Sequence, residues 1–136
     1  MEKSFIRILD TNLNRTKEGL RVIEDSARFV FNDEQIYKQL RTIRHKATSF
    51  LENKYEQLIC ERDSIKDVGR KVAEDKRTNI KNIIIANFKR VEESLRVLEE
   101  YSKLINFETA LNYKELRYSI YQIEKDFVKL INEQKN

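Results

Sequence analysis

Asn12-Leu13-Asn14-Arg15-Thr16-Lys17-Glu18-Gly19-Leu20-Arg21-Val22-Ile23-Glu24-Asp25 is a stretch that the chain contains twice. The second copy is Asn87-Phe88-Lys89-Arg90-Val91-Glu92-Glu93-Ser94-Leu95-Arg96-Val97-Leu98-Glu99-Glu100, at an offset of 75. Half of the positions are identical, and they include an Asn, two Arg and two Glu as well as Leu and Val. Tyr37-Lys38-Gln39-Leu40-Arg41 then matches Tyr113-Lys114-Glu115-Leu116-Arg117 at an offset of 76. Repetition of this depth predicts a fold built twice from one unit. A helix that needed only a core would keep its apolar stripe and let the charges drift. Charges at i,i+3 and i,i+4 spacing read first as helix-surface ion pairs, each contributing a few tenths of a kcal/mol. Their recurrence argues beyond that, because solvated pairs do not require one residue type at one place.

The repeats sit in a chain of 136 residues, a length that predicts one domain and one core. There is no Pro, Gly occurs only at positions 19 and 69, and 37% of the residues are charged. The longest apolar run, Ile83-Ile84-Ile85-Ala86, is far too short for a transmembrane helix, and the N-terminus carries no signal-peptide pattern. A single cysteine, Cys60, cannot form an internal disulfide and reads as a small hydrophobe, which fits a reducing cytosol. The net charge is +4, but the two signs are interleaved, so neither a nucleic-acid face nor a membrane contact is expected.

At about 100° per residue, Leu9, Leu13, Leu20, Ile23, Ala27, Val30 and Phe31 share one face of a helix over Ser4 to Phe31. Asn14, Glu18, Arg21 and Asp25 form the polar stripe opposite. Gly inside a helix costs about 1 kcal/mol against Ala. Gly19, with Ser94 as its counterpart, therefore predicts that the two repeated helices cross closely there. That would bring Asn12 and Arg15 near Asn87 and Arg90 about a local pseudo-twofold axis. Asn32 with Gln35 reads as a capping-box variant, opening a second helix over Asp33 to Tyr55 with the stripe Ile36, Leu40, Ile43, Ala47, Phe50 and Leu51. Arg44 lies inside that stripe, where the second repeat has Ile120. An inward guanidinium must be paired, either in a core ion pair with Glu18, Glu24 or Asp25, or with a bound phosphate. His45, the only histidine, points to the edge of the stripe.

Residues 58–77 carry no apolar period, and Asp67-Val68-Gly69 reads as a turn with Gly69 free to take positive φ. This is a linker longer than the connection needs, or a lid over a site. Thr78 caps a third helix over Asn79 to Ile105, and Asn106 with Thr109 opens a fourth over Phe107 to Asn132. Its stripe is Tyr113, Leu116, Ile120, Ile123, Phe127, Leu130 and Ile131. The expected fold is all-α: four long helices in two repeated antiparallel hairpins, over 4–57 and 78–132, as one helical domain. No phosphate-binding Gly-rich loop, kinase catalytic-loop pattern or zinc set is present. From the residues alone, a bundle with inward Arg, Asn and Glu suits a phosphorylated small molecule, with carboxylates available for Mg²⁺.

The run Asn12-Leu13-Asn14-Arg15-x-x-Glu18-Gly19-Leu20-Arg21-Val22-x-Glu24-Asp25 is similar to a known family pattern. So are Leu40-Arg41-x-x-Arg44-His45, Asp67-Val68-Gly69 and the second copy through Tyr101. Together they resemble the small helical hydroxymethylpyrimidine phosphate kinase family, whose members occur alone or fused ahead of thiamine phosphate synthase and are often labelled as that synthase. The resemblance covers nearly the whole chain. One departure is Ser64, where the family often has Thr in an Arg-Asp-Thr loop. The resemblance implies ATP-dependent phosphorylation of 4-amino-5-hydroxymethyl-2-methylpyrimidine phosphate to the diphosphate. It casts Arg15, Arg44 and Arg90 as phosphate holders, and Glu18, Asp25 and Glu93 as candidates for Mg²⁺, with Glu18 or Glu93 alternatively orienting an Arg. Asn12 and Asn87 would meet the aminopyrimidine. Arg21 and Arg96 belong to the substrate and ATP set, and His45 or the turn of Asp67 and Gly69 would close over the nucleotide. A non-catalytic module that docks on or regulates thiamine phosphate synthase is the alternative. A homodimer and that synthase are the candidate protein partners.

Overall fold

The computed structural model describes residues 2–134. It is all-helical: α1 (Lys3–Asp25), α2 (Glu34–Ser49), a short α3 (Tyr55–Cys60), α4 (Ile80–Ser102) and α5 (Phe107–Gln134), with no strand among the described residues. The most extensive contact is α1 on α4, followed by α4 on α5 and α1 on α2, with α2 also touching α5. None of these helices is long and apolar enough to cross a membrane.

The apolar stripes become the core. Leu9, Leu13, Leu20, Ile23 and Ala27 of the first helical stretch are buried against Ile84, Phe88, Val91, Leu95 and Leu98 of α4. Ile36, Leu40, Ile43 and Ala47 bury from α2, and Tyr113, Leu116, Ile120, Ile123, Phe127 and Ile131 from α5. The one polar atom that Tyr113 takes inside is satisfied, because its hydroxyl donates to Ala47 O at 2.8 Å and ties α5 to α2. Asn106 opens α5 as expected, its Oδ1 accepting from Glu108 N at 2.8 Å and Thr109 N at 3.3 Å.

The helix ends differ from expectation in several places, among them α4, which stops at Ser102 and not at Ile105. The first helix does not run evenly to Phe31, because Ser26–Val30 form a π-helical turn. The Ser26 hydroxyl donates to Val22 O at 3.0 Å and competes with the backbone ladder. The wider turn shifts the face, so Val30 is exposed while Phe31 packs edge-on against Phe127. Asn32 is a left-handed stop at φ 52° rather than a cap, and Asp33 N reaches back to Ala27 O at 2.9 Å. Asp33 is the cap of α2, accepting from Ile36 N at 2.9 Å. Likewise Asn79, not Thr78, caps α4 by accepting from Asn82 N at 2.8 Å.

The second helix stops at Ser49, short of Tyr55. Leu51 leaves helical geometry (φ −123°, ψ 14°), and a 3₁₀ turn over Glu52–Lys54 redirects the chain. This lets both Leu51 and Leu58 reach the core while α3 packs on α1. The connecting loop is thereby shortened to residues 61–79. Cys60, at its start, is exposed rather than acting as a small core hydrophobe. Gly69 has negative φ, and no glycine is in the left-handed region.

Candidate functional site

Gly19 fixes where α1 meets α4. A Cβ there would lie 2.7 Å from Val91 Cγ2 and 3.4 Å from the carbonyl oxygen of Asn87, so only Gly admits this approach. One turn away the Thr16 and Ser94 hydroxyls, both buried, hydrogen-bond at 2.6 Å. The crossing expected at Gly19 and Ser94 is therefore found.

Beside this contact, α1, α4 and loop 61–79 enclose a cleft of about 640 Å³. Asn12, Arg15 and Glu18 line it from α1, Arg90 from α4, and Asp67 and Gly69 from the loop. A smaller neighbouring cavity of about 210 Å³ shares Asn12, Arg15 and Arg90 and adds Glu93. Asn12 is buried; its Nδ2 donates to Ile8 O at 2.9 Å and its Oδ1 accepts from Arg15 Nη1 at 3.3 Å. Asn12 thus steers Arg15. Asn87 makes the matching bond to Ile83 O at 2.8 Å but lines neither cavity.

Several lining groups were not among the expected site residues. Arg7 joins Arg15 and Arg90 in the cleft, and none of the three has an ion-pair partner among the described residues. Arg62 reaches in from the loop and is held side-on by Asp10: Nε donates to Oδ2 and Nη2 to Oδ1, each at 2.7 Å. That hydrogen-bonded carboxylate raises the Arg62 pKa above its ordinary value, against a smaller opposing effect of burial. Asp63 and Ser64 follow in the cleft wall. The signal available for Asp10 was its mismatch with Ile85 in the second copy, and for Arg62 to Ser64 the Arg-Asp-Ser loop itself.

Other expected site residues lie elsewhere. Arg44 pairs with the fully buried Glu24, Nε to Oε2 at 2.6 Å and Nη2 to Oε1 at 3.0 Å, so of its two readings the core ion pair is the one observed. The second copy repeats this with a different donor. Glu99 Oε1 accepts from Arg117 Nε at 3.1 Å and Nη2 at 2.9 Å. Arg117 matches Arg41, one turn from Arg44, so each repeated Glu recruits its guanidinium from a neighbouring turn. Arg21 and Arg96 flank these networks, 3.9 Å from Glu24 and 3.5 Å from Glu99. Arg21, Asp25, Arg44, His45 and Arg96 line neither cavity. Helix geometry explains this for Arg21, which lies nine residues, about half a revolution, from Asn12.

No group of three Asp, Glu, His or Cys side chains that could hold a metal by itself occurs among the described residues. The cleft does offer single carboxylates from Glu18, Asp63 and Asp67. Such a set suits Mg²⁺, which is commonly bound through one or two carboxylates together with substrate phosphates.

The described residues form an all-α protein with a guanidinium-rich cleft. The ThiD2 family model matches residues 7–126, and the chain belongs to the ThiD2 family. It is 40% identical over 131 residues to a thiamine-phosphate synthase of Nostoc punctiforme, a match covering 94% of this chain and 36% of that protein. It is also 40% identical over 124 residues to one of Rhodopirellula baltica (88% and 33% covered) and 38% identical over 124 residues to one of Synechocystis (89% and 35%). The chain spans about a third of the length of these curated relatives. No solved structure matches the chain.

Proposed function

We propose that the chain is an ATP-dependent kinase that converts 4-amino-5-hydroxymethyl-2-methylpyrimidine phosphate to the diphosphate. The observation that carries this reading is the cleft in which Arg7, Arg15 and Arg90 converge without a carboxylate partner. Guanidiniums left unpaired in a concave site suit phosphate groups, which they bind with charge-assisted hydrogen bonds. Membership of the ThiD2 family and relatives named thiamine-phosphate synthase support a role in thiamine biosynthesis.

The reaction asks little covalent chemistry of the protein. A phosphate oxygen of the substrate attacks the γ-phosphorus of ATP, the bond to the β–γ bridging oxygen breaks, and ADP leaves. The nucleophile is already anionic near neutral pH, so no strong general base is required. Catalysis then rests on charge neutralisation and in-line positioning. Arg15 and Arg90, on rigid helices, hold the phosphates, and Asn12 orients Arg15. Loop 61–79 contributes the Ser64 hydroxyl and the Asp67-Gly69 turn to the cleft wall. Mg²⁺, held by Glu18 with Asp63 or Asp67, would neutralise charge on the nucleotide phosphates.

The test is phosphotransfer by the purified protein with ATP, Mg²⁺ and the pyrimidine monophosphate, following ADP and the diphosphate product. Arg15→Ala or Arg90→Ala should lower kcat/KM by about a hundredfold or more, the scale of a lost transition-state contact, with an unchanged circular dichroism spectrum. Absence of ADP formation by wild-type protein under these conditions rejects the kinase.

The short span of the chain relative to its relatives favours a second reading, a non-catalytic helical module that docks on or regulates thiamine phosphate synthase. It requires measurable binding to that enzyme with no turnover by the chain itself.

A further inference from the structure

We propose that Asp10 is a positioning residue that fixes the Arg62 guanidinium in the cleft wall and leaves its Nη1 end for an anionic ligand of the phosphoryl class. The inference rests on the cleft being an anion site, and it adds a group from the loop to those on the helices.

Asp10 occupies Nε and Nη2 of Arg62 in a side-on pair with both bonds at 2.7 Å, while Nη1 makes no hydrogen bond among the described residues. Asp10 is 5% exposed and thus rigidly held, and Arg62 lines the cleft. Every other hydrogen bond made by residues 62–77 is short-range: Arg62 N donates to Ile59 O, Asp63 accepts from Lys66 N, Asp67 from Gly69 N and from Arg70 N, Gly69 O from Val72 N, and Lys76 O from Arg77 Nη1. The Asp10 pair is therefore the tie that sets where the loop starts across the cleft. Core packing does not call for it. At the matching place in the second copy the chain has Ile85, and an apolar pair often serves stability as well as a buried ion pair.

The sign of one substitution separates this role from simple electrostatics. Removing a negative charge from an anion site should tighten anion binding if charge is all that Asp10 supplies. If Asp10 positions Arg62, Asp10→Asn should instead weaken it. The experiment is calorimetric titration of the full chain with pyrophosphate, with melting and circular dichroism run on each variant. The expected result is a dissociation constant about tenfold higher for Arg62→Ala, the scale of one lost charge-assisted bond, and a rise for Asp10→Asn also. In the Arg62→Ala background Asp10→Asn should give no further weakening. Arg62→Lys keeps the charge but not the side-on pair, and should weaken binding as well. It carries the test if Asp10→Asn does not fold.

Wild-type binding that is unchanged or tighter in Asp10→Asn, or unchanged in Arg62→Lys, overturns the positioning role and leaves the anion site standing. Wild-type protein that binds no pyrophosphate overturns both.

Discussion

Gly19 and Glu92 show how much a single position can carry. Gly19→Ala gains about 1 kcal/mol of helix propensity, but its methyl meets a stiff β-branched Val91 at 2.7 Å. Overpacking of that kind costs about 1–3 kcal/mol. The expected outcome is a lower melting temperature and disturbance of the Thr16–Ser94 bond, checked by thermal denaturation. Glu92 is a different case. Its carboxyl is buried beside Glu124, and Lys89 bridges the two acids at 3.4 and 3.2 Å. Burial first, and then the hydrogen bond and charge of Glu124, push its pKa from 4.5 to about 8, only partly offset by Lys89. The folded protein then holds a proton that the unfolded chain releases between these values. The stability tied to it is fully present below pH 4.5, falls as pH rises, and levels off above about 8. Glu92→Gln should flatten this part of the profile, as read from melting temperature across pH 5–9 (a range of roughly the two pKa limits). At this scale Gly19 was readable, because glycine in a helix has a cost that demands a reason. Asp10 was legible only as a mismatch with Ile85, because an acid on a helix edge gives no sign of a partner 52 residues away.

Helices were read from their stripes, and their interruptions were not. The buried residues of α2 are on the stripe that the periodicity marks, as are most of those of α5, where Ala110 and Arg117 are buried in addition and Leu130 only partly so. The π turn at Ser26 and the break at Leu51 depend on one hydroxyl and on a leucine reaching for the core, neither of which has a period. Arg44 was ambiguous for the same reason: an inward guanidinium on one element says only that another element supplies an anion. That anion is Glu24. Arg44→Ala would leave this carboxylate buried without its main partner, at a cost of about 3–5 kcal/mol. Replacing both by hydrocarbon, as in Glu24→Met with Arg44→Leu, should recover most of that loss in chemical denaturation. Phosphotransfer that survives in the double variant would confirm Arg44 as scaffold. The Glu99–Arg117 pair parallels Glu24–Arg44, with the acid at the same place in the repeated stretch and the base moved by a turn.

At the scale of the whole molecule, α1 and α4 supply the helical walls of the cleft and loop 61–79 supplies the remaining one. Loop 61–79 is exposed almost throughout, with Ile65, Val68 and Val72 on its surface. Trypsin should cut within it first, at sites such as Lys66, Arg70 or Lys71, and ATP should slow that cut if the loop closes on the ligand. Mass analysis of the fragments checks both statements. The irregular segment was legible from its missing apolar period, whereas the partition of the repeated motif was not. One edge of each copy faces the cleft, and the other, through Glu24 and Glu99, holds the scaffold. Identical residue types served both jobs, so repetition alone could not sort them.

The position of Cys60 has a practical consequence. It is the sole thiol of the chain, it is exposed, and it stands two residues before Arg62. A maleimide fluorophore would attach at one defined point at the start of loop 61–79, without mutagenesis. Its emission or anisotropy during rapid mixing with nucleotide would then test whether loop 61–79 moves when ligand binds.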